Sequence, residues 1–174
     1  MKYLVKFFVV TFLLLVCTHV LAEQKVAYLD MKFILNNSKA GKGAQDLLHK
    51  SFQENQKKFL DKENALKKEE SDLLTQKTIL TKEEYQKKSD NLRKQVIDYQ
   101  SQRRTSLEKI ATQRTEARQQ LIEKLDPILK TYIEENDVSL VLDKKNILLG
   151  KTDLDITFTI VEKLNKELPS LSIK

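Results

Sequence analysis

Residues 44–126 read AQDLLHKSFQENQKKFLDKENALKKEESDLLTQKTILTKEEYQKKSDNLRKQVIDYQSQRRTSLEKIATQRTEARQQLIEKLD, a run of 83 positions without a glycine or proline. Its richness in Lys, Glu, Gln and Leu favours long solvated helix over globular core. Phe52, Phe59, Leu66, Leu73 and Leu80 recur every seven residues, which keeps one apolar stripe against a supercoiled neighbour. The companion positions four residues earlier are Leu48, Asn55, Lys62, Glu69 and Gln76, and only the first is apolar. The seam is therefore half of a coiled coil.

The partner helix is expected further along the same run. Thr81 with Glu84 three residues later forms a capping-box pattern, in which each side chain satisfies an orphan amide of a new helix. This places a reversal near residues 78–84, against the rival of one continuous helix from 44 to 136. Beyond it Tyr85, Leu92, Val96, Tyr99, Leu107, Ile110, Ala117, Leu121, Leu125 and Ile128 form a stripe with helical spacing. At 1.5 Å per residue the outgoing arm, residues 42–77, measures about 54 Å and the return, residues 82–126, about 67 Å. Pro127 predicts a kink, with one or two further turns through Ile133.

The flanks carry a different pattern. Residues 25–30 (KVAYLD) read as a short strand, and Asp30 can cap a helical turn over Met31 to Leu35. Asn36-Asn37-Ser38 breaks that turn. Residues 39–43 (KAGKG) read as a flexible start to the long helix, because they lack the full spacing of a phosphate loop. Near the end, Val138–Leu142, a turn at Lys144-Lys145-Asn146 and Ile147–Gly150 predict a hairpin-like pair of strands. Asp153 or Asp155 would then cap a last amphipathic helix carrying Ile156, Ile160, Val161, Leu164 and Leu168, stopped by Pro169. The expected fold is mainly α with a small β part: a coiled-coil hairpin over 44–126 on a β/α body from 23–43 and 127–174.

Residues 1–22 combine Lys2 and Lys6, the apolar run Phe7 to Val16, and Val20-Leu21-Ala22 before Glu23, the pattern of a signal peptide cleaved between Ala22 and Glu23. The rival is a retained anchor, but the apolar run is nearer a dozen residues than the roughly 20 a bilayer span needs. A lipidation site at Cys17 would want a small residue where Val16 stands. Cleavage removes the one Cys and two lysines, leaving no thiol, a single histidine (His49) and a formal charge lowered from +6 to about +4. Neither a disulfide nor a histidine metal cluster is then expected, and no cofactor.

Charge is uneven along the arm. Residues 50–73 hold six basic and six acidic side chains, whereas residues 74–118 hold eleven basic and six acidic. Lys77, Lys82, Lys87, Lys88, Arg93, Lys94, Arg103 and Arg104 carry the excess and are the candidate basic face for a negatively charged client or an anionic lipid surface. Nucleic acid is not an expected partner, because export and the lack of an aromatic stacking platform both argue against it. Half-filled apolar seams, lined by Phe52, Phe59, Leu66, Leu73, Leu80, Tyr85, Leu92, Val96 and Tyr99, fit weak, adaptable contacts with many chains. His49 has no Ser or Cys at a recognised catalytic spacing, so a non-enzyme is expected.

Three short strands and one small helix bury too little to anchor two long arms, and their unpaired edges invite pairing between copies. A small homo-oligomer is therefore expected. The strand VAYLD (26–30), KAGK (39–42), the Lys/Gln/Glu-rich helices and VSLVLD (138–143) occur in the order seen in the Skp/OmpH family of periplasmic chaperones. The chain resembles that family over essentially all of residues 23–174. The resemblance implies a trimer with a shared β body and helical arms, located in the periplasm and enclosing unfolded outer-membrane proteins without ATP. It also implies lipopolysaccharide binding, although no local motif assigns residues to it. The alternatives are a coiled-coil spacer of the envelope and a binder of anionic membranes or lipopolysaccharide.

Overall fold

The structure, a computed structural model, describes residues 25–173. The expected signal peptide and the Ala22/Glu23 cleavage point lie outside the described residues. Strand β1 (Lys25–Leu29) leads into α1 (Met31–Asn37), α2 (Lys39–Thr75), α3 (Lys82–Glu135), β2 (Val138–Asp143) and α4 (Thr157–Glu167). The two strands are parallel, with Val26 opposite Leu140 and Leu29 opposite Asp143. A parallel pair needs a long crossover. Here the crossover is the entire α2–α3 hairpin, so closing the small sheet fixes the root of the arm.

Each junction has a local cause. The Asp30 carboxylate accepts the Phe33 amide at 2.7 Å and starts α1, and the buried Ser38 hydroxyl accepts the Gly41 amide at 3.2 Å to start α2. Residues 39–43 are not the loose start that the sequence predicts. They are helical, Ala40 is fully buried, and a Cβ on Gly41 would fall 2.0 Å from the Leu35 carbonyl oxygen. Glycine is needed there because α1 and α2 touch backbone to backbone.

At the far end of the arm the chain reverses through a 3-10 turn at Gln76–Thr78. The Thr81–Glu84 capping box then opens α3, with both of its hydrogen bonds present. A hairpin thus takes the place of the rival continuous helix. With 37 and 54 residues, α2 and α3 are about 55 and 81 Å long. The return helix runs through Pro127 to Glu135, two residues beyond the expected stop. Asp137, with φ 53°, turns the chain into β2, and its short polar side chain tolerates that left-handed backbone.

The expected hairpin between Val138–Leu142 and Ile147–Gly150 does not form; only the first of these segments is a strand. After β2 the chain turns at Lys144–Asn146 and crosses to the other side of β1, where Asp155 bridges Tyr28 and the Ile156 amide donates to the Tyr28 carbonyl at 2.9 Å. That crossing draws residues 147–154 away from β2. On the way Gly150 lies against the Tyr28 ring, where a Cβ would sit 2.8 Å from the nearest ring carbon.

Neither Asp153 nor Asp155 caps α4 as the sequence predicts: the helix begins at Thr157 with Ile156 at its N-cap position and no side-chain cap, while the Asp155 carboxylate accepts the Thr157 amide at 3.0 Å and its hydroxyl. The same hydroxyl accepts the Asp30 amide at 2.8 Å, so the start of α4 and the end of β1 share one network. Burial pushes the Asp155 carboxyl up, but the Lys144 ammonium at 2.8 Å and the two Thr157 donors outweigh it and hold it below the usual range. Ile34, Leu125, Ile160 and Leu164 are almost completely enclosed, joined by Ala27, Leu29 and Leu121 in one cluster. The body thus packs both flanks of the arm, β1–α1 and α4, around the root of α3.

Candidate functional site: the helical arm

Along the inner arm the contact between α2 and α3 is apolar. Ala44 and Leu48 on α2, and Ala117 and Leu121 on α3, are all buried. Phe59 and Ile110 continue this packing outward, each 7% exposed. Beyond them only Leu73 is buried; Leu66, Leu80, Tyr85, Leu92, Val96 and Tyr99 are half-buried, and Phe52, nearer the body, is exposed at 43%. The seven-residue stripe does face the return helix, yet it is only partly covered.

Polar groups fill the rest of the seam. The Lys62 ammonium donates to the Gln102 side-chain oxygen at 2.7 Å, the Gln95 amide to Glu69 at 3.0 Å, and the Lys88 ammonium to Gln76 at 2.7 Å. Each step of seven residues outward on α2 is matched by seven residues back on α3, so the three bonds are rungs of one antiparallel ladder. The rung residues on the outgoing side, Lys62 and Glu69 on α2 and Gln76 at the start of the tip turn, are the companion positions that the sequence marks as non-apolar. Their seven-residue recurrence was a visible signal; the identity of Gln102, Gln95 and Lys88 as partners was not. The same register sets Asn55 opposite Lys109, where no hydrogen bond between the two is seen; the ladder ends there and apolar packing takes over.

Between the first two rungs lies a mixed clasp. The Tyr99 hydroxyl donates to Glu63 at 3.1 Å, Lys67 pairs with the same carboxylate at 2.7 Å, and the Tyr99 ring meets Phe59 edge-on with centroids 6.0 Å apart. The Lys67 hydrogen bond, with that from Tyr99, holds the Glu63 carboxyl below its ordinary range. Desolvation and the neighbouring carboxylate push the Tyr99 phenol up, and the pairing with Glu63 likewise raises Lys67.

The eight candidate basic residues are all exposed but do not form one face. At 100° per residue, Lys82, Arg93 and Arg104 share one stripe and Lys87 and Lys94 another, both turned away from the seam. Lys88 and Arg103 lie on the seam side, Lys88 as a rung and Arg103 close enough to Glu63 to help stabilise its charge. Lys77 sits in the tip turn. Arg93 and Arg104 approach Asp90 and Glu108 on their own helix at 4.0 and 3.9 Å. The positive charge is thus distributed around the arm rather than gathered in a stripe.

His49 is exposed and shares a hydrogen bond with Gln53 at 3.0 Å. Among the described residues no group of three His, Cys, Asp or Glu is placed to hold a metal ion, and no helix is long and apolar enough to cross a membrane.

Comparison with curated proteins gives no match. Among solved structures, that of a Caulobacter crescentus CB15 protein, provisionally described as an outer membrane chaperone (OmpH-like), is similar with a TM-score of 0.80. The match covers 89% of this chain and 92% of that one at 19% identity, so the likeness is one of fold. The family model described as outer membrane protein (OmpH-like) matches residues 25–164. The chain therefore belongs to the OmpH-like family.

Proposed function

We propose that this protein is an ATP-independent holdase of the periplasm, exported with residues 1–22 as a cleaved signal and binding unfolded outer-membrane proteins until they reach the outer membrane. The observation that carries this reading is the arm itself: an α2–α3 hairpin with a charged, exposed surface and an incompletely covered apolar seam. Such a surface offers many weak contacts instead of one shaped pocket, which suits clients that share no single structure. Family membership and the provisional chaperone description of the Caulobacter protein support the same reading.

The active form is a homo-oligomer, a trimer by resemblance to its family, with residues 23–43 and 127–174 as the shared body and 44–126 as the arm. Support comes from the two-stranded sheet, with Val26, Leu140 and Leu142 exposed, and from Leu148, Leu149 and Phe158, whose side chains meet solvent in the single chain. The outward lysines and arginines attract negatively charged clients at long range. The deciding experiment refolds a denatured outer-membrane barrel protein by dilution with and without an equal amount of this protein. Client that stays soluble supports the holdase; client that aggregates equally in both overturns it. A pull-down from envelope extract separates it from a spacer, which would capture one partner where a holdase captures many barrel proteins.

A further inference from the structure

The ladder divides the arm into two parts of different strength. From Leu48 inward the two helices are held by buried apolar side chains. From Lys62 to the tip they are held by three exposed rungs, the Glu63–Tyr99 clasp and a stripe that is mostly half-buried. An exposed rung exchanges one hydrogen bond for another with water and nets little, whereas the body and arm root lose buried area on opening. The tip is a turn with Ile79 82% exposed, so nothing among the described residues covers the outer end.

We propose that the outer arm opens from the tip like a zipper, and that the opened seam, rather than the outside of a closed arm, is the surface that takes an extended, unfolded polypeptide. The inference rests on the holdase reading and names its contact residues. Opening uncovers Leu66 and Leu73 on α2, Leu80 just past the tip turn, and Leu92, Val96 and Tyr99 on α3. It also frees Lys62, Glu69, Gln76, Lys88, Gln95 and Gln102, which can donate to or accept from the main chain of the incoming segment. Same-side residues of an extended chain recur about every 6.8 Å, while the stripe recurs about every 10.5 Å. The two fall into step only about every 20 Å, so side chains are not matched one to one and the surface holds apolar strand segments without selecting a sequence.

Two measurements test this. Hydrogen exchange on the intact chain should give amides of residues 62–75 and 85–102 at least tenfold faster exchange than those of 44–50 and 115–128; equal rates overturn the zipper. For the second, Glu69→Cys and Gln95→Cys, or Lys62→Cys and Gln102→Cys, are combined with Cys17→Ser, and whichever pair closes a disulfide locks the ladder. A denatured barrel protein is the probe. The locked protein should need at least fivefold more chain to keep it soluble than the same variant after reduction. If locked and reduced forms hold client equally well, the opened seam is not the client surface, though the holdase stands. If the reduced form and the unmodified chain both fail to hold it, the holdase reading falls, and this inference with it.

Discussion

The body and the outer arm use opposite means to bring helices together. In the body Ile34, Ile160 and Leu164 are fully enclosed, and α1 meets α2 so closely that Gly41 admits no side chain. In the outer arm two helices lie antiparallel with hardly a fully buried side chain, aligned by rungs at seven-residue intervals. Burial supplies stability in the first; hydrogen-bond partners supply register, at little net stability, in the second. A chain can therefore carry a firm anchor and a loose arm on the same helix, α3, without a linker between them.

That contrast is open to direct attack. The largest effect is expected from Leu164→Ala, which empties a fully buried position and should destabilise the body by about 2–5 kcal/mol, read from denaturant unfolding. Gly41→Ala comes next: the methyl meets the Leu35 carbonyl, and a loss of about 1–3 kcal/mol should appear in the same measurement. A loss near zero at Gly41 would mean that α1 can move off α2 freely, and that the body is less rigid than its close packing implies.

Thr81→Ala removes the capping box of α3 and should cost about 1 kcal/mol, confined to the tip and visible as faster hydrogen exchange in residues 82–86. The acid limb of the body's stability should respond to Asp155→Asn. The Asp155 carboxyl titrates below its ordinary value of 3.8 in the folded chain. Its contribution is therefore whole above that pH and is lost as pH falls through the folded value, and the Asn variant should show a flatter acid dependence of melting temperature. The smallest effect belongs to a single rung: Gln95→Ala should cost about 0.5 kcal/mol and leave the body's melting unchanged. A large loss there would erase the distinction between anchor and arm.

Much of this architecture is legible in residue order. The absence of glycine and proline over 44–126 and the Thr81–Glu84 pair act locally, through helix propensity and cap hydrogen bonds, so the two helices and their reversal can be read without knowing any partner. The second tail strand could not be read correctly. Ile147–Gly150 has strand composition, but Asp155 and Ile156 take the second edge of β1 and draw the segment across the sheet. The start of α2 misleads for a related reason: two glycines in five residues resemble a flexible joint, and only the approach of Leu35 turns Gly41 into a packing requirement.

The candidate basic residues show the same limit. Sequence counting finds their excess, but helical rotation spreads them over several stripes and places Lys88 in the ladder. The sequence by itself determined the elements whose causes lie within a few residues: long solvated helices, their caps, the half-apolar seam and the last amphipathic helix. Tertiary structure alone decided which strands pair, why one glycine is required, and which polar side chains meet across the arm, because each depends on groups brought together from distant parts of the chain.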